Sequence, residues 1–414
     1  MALNCATTSF MPADPEGASS ISTAEYRIRV HDTADAIDAA AWDRLLHAQA
    51  AATPFMRHAY LHALQASGSA TAATGWQPAW ITLEAGGRLR AACLLHLKSH
   101  SYGEYVFDWG WADAYRRHGL SYYPKALVAV PFTPVPGSRL LAEDEAWRAR
   151  LVQAIADFAR KASLSSAHVL FVDEVDRAAL ERAGWMIRPG VQFHWRQDRD
   201  APVADFAQLL QRMQRDKRKK IQQERRRVAE AGVHFSVHEG AAIDAPLWDF
   251  FHHCYTLTYR AHRSQPYLTR DFFARMAQTM PQHWVLFLAR QQGLPVACSL
   301  IAVDRERAAA WGRYWGALAF IPCLHFEACY YQPLQWCIAE GITRFEGGAQ
   351  GEHKIARGLL PSATASAHLV ADARFAEAIA RALREEEQAM SLYVDELNEH
   401  TPFRGAATGS SPGG

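Results

Sequence analysis

The sequence predicts an α/β (α+β) protein of two similar halves, each a mixed sheet flanked by helices. Three observations predict it. Strand-like and helix-like runs alternate in one order and then repeat it. Two segments about two hundred residues apart resemble each other: WITLEAGGRLRAACLL from Trp80 to Leu95 and VLFLARQQGLPVACSL from Val285 to Leu300. The chain of 414 residues is 49% hydrophobic and 21% charged, enough to build two ordinary cores.

The first half opens with alternating Tyr26 to Val30, a short strand, then helical runs from Asp35 to Ala48 and Arg57 to Gln65. Trp76 to Glu84 and Arg88 to Leu97 read as a hairpin around Ala85-Gly86-Gly87. An aromatic strand at Trp109-Gly110-Trp111, a strand at Ala126 to Val130, a helix at Ala146 to Ala162, a strand at His168 to Val172 and a helix at Arg177 to Ala183 follow. The second half repeats the series. A strand at Phe193 to Arg196 precedes a basic helix over 205–231 and a strand at His234 to His238. Helices at Leu247 to Ala261 and Arg270 to Met280 lead to a hairpin around Gln291-Gln292-Gly293. An aromatic strand from Arg307 to Gly316, a helix from His325 to Glu340, a strand at Thr343 to Glu346 and a helix from Phe375 to Leu397 complete it. Ala92-Cys93 and Ala297-Cys298 fall at matching places, as an internal duplication requires. The order in each half is that of a GNAT fold. The expected division is a disordered lead at 1–23, a first domain at 24–200, a second at 201–400 and a disordered tail at 401–414.

The formal net charge of +1 argues against a protein that coats nucleic acid along its whole surface. No apolar run is long enough to span a membrane, and the first twenty residues lack the basic start and apolar stretch of a signal peptide. Seven cysteines with no C-x-x-C pair read as reduced thiols, so a cytoplasmic location is expected. His325-x-Glu327 and Glu352-His353 lack zinc-helix spacing, and no metal is expected.

The chemistry concentrates between Trp311 and Gly358. Charged residues set in glycine-rich, aromatic sequence are poor core material, and a polar cleft would supply their partners. His325 or Glu327 could take a proton from an attacking amine, and Tyr330 or Tyr331 could return one to a leaving group. Glu327 alternatively sits in the first helical turn because the helix dipole favours a carboxylate there. Two adjacent tyrosines on a helix face different ways, so at least one packs. Glycine or alanine fills four of the five positions from Gly347 to Gly351, letting backbone approach a ligand closely. Glu352 and His353 join the candidate catalytic set. Arg313, Tyr314, Gln350, Lys354 and Arg357 join the candidate substrate-binding set, the cations as holders of phosphate or carboxylate. In the first half, Lys125 and Arg139 could bind anionic substrate groups with Asp108 nearby. Equally, Asp108 and Glu104 could form structural ion pairs with these cations. From Arg212 to Arg227 nine Lys or Arg face only Asp216 and Glu224, a net +7. Lys217, Arg218, Lys219 and Lys220 form its densest part, a candidate phosphate or nucleic-acid patch.

The runs HSYGEYVFDW, YYPK, PFTPVPGSRLL, QFHW, KRKKIQQERR, GRYWG, LHFEACYYQ and GAQGEHKIARG resemble the FemAB-like predicted N-acyltransferases of bacteria, a peptidoglycan biosynthesis or recognition family. The resemblance covers roughly Pro54 to Leu397. It implies tandem GNAT-like acyltransferase domains and transfer of an acyl group to an amine. The acceptor would be a small molecule or a cell-wall precursor. Related Fem-type enzymes use aminoacyl-tRNA and GNAT enzymes use acyl-coenzyme A (acyl-CoA), so either donor is implied, tRNA docking through the basic helix. A non-catalytic protein that binds a cell-wall precursor or RNA is the competing reading. One departure stands out. Phe320-Ile321-Pro322-Cys323 occupies the place of the GNAT pyrophosphate loop.

Overall fold

The computed structural model describes residues 26–348 and 351–404. Gln350, the lead at 1–23 and most of the tail from 401 lie outside the described residues. Among the described residues the strands are β1 (Arg27–His31), β2 (Trp76–Ala85), β3 (Arg88–Lys98), β4 (Lys125–Val128), β5 (Leu141–Ala142), β6 (Ser166–Leu170), β7 (Met186–Arg196), β8 (Val233–Glu239), β9 (Trp284–Gln291), β10 (Leu294–Asp304), β11 (Ala309–Ala317), β12 (Arg344–Glu346) and β13 (Leu360–Val370). They fall into two compact units. The first takes residues up to 190 with 267–279 and 364–388; the second takes 191–266, 280–363 and 389 onward.

In the first unit β1, β2, β3 and β4 pair antiparallel in that order, and β4 then pairs parallel with β6. The core lies between this sheet and the helix Glu145–Lys161, where Leu151, Val152 and Ile155 meet Leu83, Cys93 and Val128. That helix starts where the Asp144 carboxylate accepts the Trp147 N–H, a favourable N-cap. In the second unit β8, β9, β10 and β11 pair antiparallel in the same way, and β11 pairs parallel with β12. Phe287, Ile301, Val303 and Phe345 pack there against Tyr331, Leu334 and Cys337. The expected duplication is therefore visible strand by strand, and the fold is tandem GNAT-like α/β.

The linear division at 200/201 does not describe these units, because each sheet is completed by a strand from the other half of the chain. β13 pairs β6 in the first unit, and the end of β7 pairs β12 in the second. β13 (LPSATASAHLV) escaped the sequence reading because small and hydroxylated residues hide its alternation. Pro189 and Gly190 likewise mask the first part of β7.

Three further expectations are corrected. Trp109-Gly110-Trp111 opens the helix Trp109–Arg117; its last turn carries Asp113 ion pairs to Arg116 and Arg117 at i+3 and i+4, which outweigh a three-residue alternation. The long basic helix is two helices, Phe206–Arg212 and Arg215–Glu230. Met213 between them is buried and extended and bridges to Phe403, while Gln214 N–H donates to Pro402 O at 2.8 Å. Those contacts also place residues 401–404, expected as the start of a disordered tail. Finally, the helix from Leu324 passes through a wide π turn over Glu327–Tyr331 before Gln332–Ala339 continues it. Such turns recur at functional sites.

Gly316 on β11 shows how closely the second unit is packed. A Cβ there would stand 2.2 Å from Cys254 O in the helix Ala245–Ala261. Gly316→Ala is expected to cost about 1–3 kcal/mol, the usual penalty for an inserted methyl that backbone cannot evade. Urea unfolding measures it; an unchanged midpoint would contradict this contact.

Candidate active site of the second unit

β11 is paired with β12 only over Ala309–Trp311 and Arg344–Glu346, so Gly312 onward runs past the end of its parallel neighbour. Ligands of α/β sheets settle outside such carboxyl ends. The helix that starts at Leu324 faces this place, and its π turn sends the adjacent tyrosines to different partners. The Tyr330 hydroxyl lies 3.1 Å from His353 Nε2. The Tyr331 hydroxyl instead donates to the buried carboxylate of Glu224, which projects from the basic helix Arg215–Glu230. Tyr331 is thus the packing member of the pair.

His325 packs edge-on against Trp315 at 5.3 Å and Tyr330 at 5.7 Å, with the His353 ring 6.4 Å away. Burial, then His353, Arg357 and Lys354, lower the His325 imidazole to about 4, so it is neutral at neutral pH. Burial followed by Arg357 and Lys354 also lowers His353. Burial pushes the Tyr330 phenol well above its usual value, so it remains protonated. The cluster sets a proton donor and an acceptor, Tyr330 and His353, within hydrogen-bonding distance, with the neutral His325 ring packed beside them.

The remaining predicted residues are placed as follows. Glu327 accepts from Arg225 Nε at 3.1 and 3.2 Å and from Gln332 Nε2 at 2.7 Å, a carboxylate already engaged on both oxygens' side. Glu352 is exposed and accepts from the Tyr393 hydroxyl at 2.5 Å. Arg357 donates to both oxygens of Glu224 at 3.0 Å and to His353 O at 2.6 Å, and its guanidinium lies 3.4 Å above the Phe326 ring. It fixes the turn that carries His353. Lys354 is buried and donates to Gly348 O at 2.9 Å, holding the glycine loop. Arg313 Nη2 donates to the Tyr314 hydroxyl at 3.0 Å, and Tyr314 stacks edge-on with Tyr255 at 5.2 Å. On the basic helix Lys219 and Lys220 are exposed, Lys217 and Arg218 half-buried, and Lys217 lies 3.8 Å from Asp216.

Lys354 makes one pH effect predictable. Burial lowers its ammonium to about 8, against 10.5 for the ordinary group. Between these values the unfolded chain holds a proton that the folded chain has lost. Stability contributed by this group is therefore present above 10.5 and is lost as pH falls through 8. Lys354→Met is expected to flatten the rise in urea midpoint between pH 8 and pH 10. An unaltered slope in the variant would contradict it.

Among the first-unit candidates, Lys125 and Asp108 share one buried cluster. Lys125 Nζ donates to Glu104 Oε2 at 2.7 Å, to Ser101 Oγ at 2.9 Å and to Asp108 Oδ2. Tyr122 donates to Asp108 at 2.6 Å and stands 3.2 Å from His168 Nε2, whose Nδ1 meets His368 Nδ1 at 2.8 Å. Burial opposes charge on Asp108, but Lys125 beside it, then His168, hold its carboxyl well below the usual range; burial raises Glu104 to about 7. Arg139 is buried, with its donors on the carbonyls of Leu170, Gly137 and Val135. Both cations therefore sit among partners supplied by their own unit.

Sequence reading missed Glu346, His194 and Glu224. Glu346 ends β12 and is buried, with burial raising its carboxyl to about 7 against the opposing pull of Arg344. The available signal was a carboxylate at the end of a strand followed directly by Gly347-Gly348. Glu224 was hidden among nine surrounding cations.

The folded units define the class: tandem GNAT-like proteins. Solved structures of similar fold include FemX (TM-score 0.52, 10% identity, 83% of this chain and 98% of that one) and L-PGS from Bacillus licheniformis (TM-score 0.52, 11% identity, 85% and 97%). A tandem GNAT protein from the clavulanic acid biosynthesis pathway also matches, at a TM-score of 0.43 and 12% identity over 84% of this chain and 99% of that one. The chain belongs to the FemAB-like family, described as peptidoglycan biosynthesis/recognition, whose model matches residues 33–405. No curated protein matches the sequence. Among the described residues no helix is long and apolar enough to cross a membrane.

Proposed function

We propose that the protein is an N-acyltransferase that moves an acyl or aminoacyl group from a thioester or ester donor to an amine. The observation that carries this reading is the Tyr330–His353 pair beside neutral His325, at the place where β11 outruns β12. An amine attacking an acyl carbonyl must lose a proton, and the leaving thiol or alcohol must gain one. A neutral imidazole accepts and a protonated phenol donates, which supports His325 and His353 as acceptors and Tyr330 as donor. Glu327 and Tyr331 are engaged by Arg225 and Glu224 and act by positioning. The family description supports a cell-wall precursor as the source of the amine.

The donor is read from the cations. Lys354 and Arg357 hold Gly348 O and Glu224, and Phe320, 91% exposed, stands where a pyrophosphate loop would. The exposed Lys219 and Lys220, with Lys217 and Arg218, instead offer phosphates an extended positive run, which favours aminoacyl-tRNA over acyl-CoA.

A thermal-shift titration separates the donors, because a ligand of the native state raises the midpoint by mass action. The expected result is a saturable rise with aminoacyl-tRNA that RNase, high salt or Lys217–Lys220→Gln removes. A rise with acetyl-CoA or a longer acyl-CoA instead would assign the thioester donor. No rise with any donor, together with no N-acylated product, would overturn the reading.

A further inference from the structure

The face of the second-unit sheet opposite His325 carries its own buried polar set. Phe345 points into the core that holds Tyr330 and Tyr331, so the next residue, Glu346, points to the other face. His194 is its direct cross-strand partner on β7, and Arg344 and Arg196 form the next pair along the same face. Trp311 of β11 is the partner of Glu346 on the other side.

Two acceptors on this face lack donors. His194 Nε2 lies 3.2 Å from Gln192 Oε1, an oxygen that can only accept, so Nε2 carries the hydrogen and Nδ1 is a bare lone pair. Burial, then Arg196, Arg344 and Lys354, hold this imidazole neutral. Nδ1 is buried and meets no hydrogen-bond donor among the described residues; the Glu346 carboxyl is hydrogen-bonded by Trp311, while its Oε2 stands 3.7 Å from His194 Nε2 with no donor at hydrogen-bond distance. Both side chains are at least nine-tenths buried. Buried acceptors without donors are costly, and a ligand rich in N–H groups would satisfy both. One step outward the chemistry reverses. Arg344 Nε is 3.5 Å from Glu346 Oε1, and Arg196, directly opposite, is exposed. Like charges opposed across a strand pair are unfavourable, and Glu346 supplies a single negative charge to both arginines, leaving the group net positive. Arg313 adds a third positive charge near Glu346.

We propose that Glu346 and His194, with Arg344 and Arg196, form a ligand subsite on the face away from His325, and that its ligand presents an ammonium group beside a carboxylate. The ammonium would donate to Glu346 Oε2 and His194 Nδ1, and the carboxylate would lie against the arginine pair. This subsite is distinct from the acyl-transfer cluster of His325, Tyr330 and His353.

The test is calorimetric titration of the full chain with alanine, with ethylamine and with propionate as probes. Alanine is expected to bind saturably and roughly ten-fold or more tighter than either single-charge probe, since it alone meets both charge patterns. Glu346→Gln should abolish the preference for alanine over propionate and, by releasing Arg344 from its carboxylate, should strengthen propionate binding. His194→Gln, checked for folding by its thermal melt, should weaken alanine in the same direction. Absence of saturable alanine binding would overturn the proposal. So would propionate binding as tightly as alanine, indifferent to Glu346→Gln, which would mark a plain anion site. Alanine binding as described without acyl transfer from any donor would sink the transferase reading and leave the subsite standing.

Discussion

Lys125→Met is expected to lower the free energy of unfolding by about 3–5 kcal/mol, the usual result of removing one partner from a buried ion pair. Lys125 is fully buried, and its ammonium is the shared donor to Glu104, Asp108 and Ser101. Methionine keeps the length of the stem but leaves two carboxyl groups facing each other with one cation fewer. Lys98 is the next nearest, at 4.0 Å from Glu104 Oε1, and burial lowers it to about 7, so it substitutes poorly. Tyr122, His168 and His368 extend the same hydrogen-bonded set, so the loss should reach β6 and β13 as well. Lys125→Met combined with Asp108→Asn should recover part of the loss, because the uncompensated charge is then removed. Urea unfolding of the two variants measures both terms. A single variant within about 1 kcal/mol of wild type would mean that these carboxyl groups are not charged in the fold.

His353→Ala and His325→Ala are each expected to lower kcat/KM by about 10²–10⁴-fold, the range of general acid–base contributions. The fold should survive both changes. His353 is exposed, and its turn is held by Arg357 and Lys354 through backbone and Glu224 contacts that its imidazole does not make. His325 is half-buried among rings that an alanine would leave in place. The pH profile distinguishes a chemical role from a structural one. Because burial and nearby cations lower His325 to about 4, activity limited by its free base should fall only as pH drops toward that value. An acid limb near the ordinary imidazole value of 6.5 would assign the base elsewhere. Tyr330→Phe should reduce the rate while leaving the midpoint of that limb in place, since the phenol stays protonated throughout the range.

How much of this was legible follows from what each residue does. The duplicated hairpins were readable because Ala-Cys pairs and glycine turns recur at fixed places. The helix beginning at Leu324 and its His-Phe-Glu-Ala-Cys-Tyr-Tyr sequence were readable as a dense polar and aromatic set. The roles within it were not. Glu327 looked like a base until Arg225, a hundred residues earlier, was seen to hold it. Adjacent Tyr330 and Tyr331 were bound to face different ways, but which of them packs depends on a π turn that no local propensity announces. β13 was invisible because its Ser366 and His368 are buried by hydrogen bonds rather than by apolar contact. Met213 broke the basic helix through a tertiary contact with Phe403, against a helical local preference. Arg139, read as a candidate anion holder, spends its donors on carbonyls that only the folded loop brings to it.

The most direct test of the central claim is product formation by the second-unit site. Wild type, His325→Ala and His353→Ala would each be mixed with a cell-wall precursor bearing a free amine and with aminoacyl-tRNA or acyl-CoA, and the products weighed by mass spectrometry. The account predicts an N-acylated precursor with wild type and about 10²–10⁴-fold less with either variant. Equal product from all three would place the chemistry outside the Tyr330–His353–His325 cluster and contradict the account.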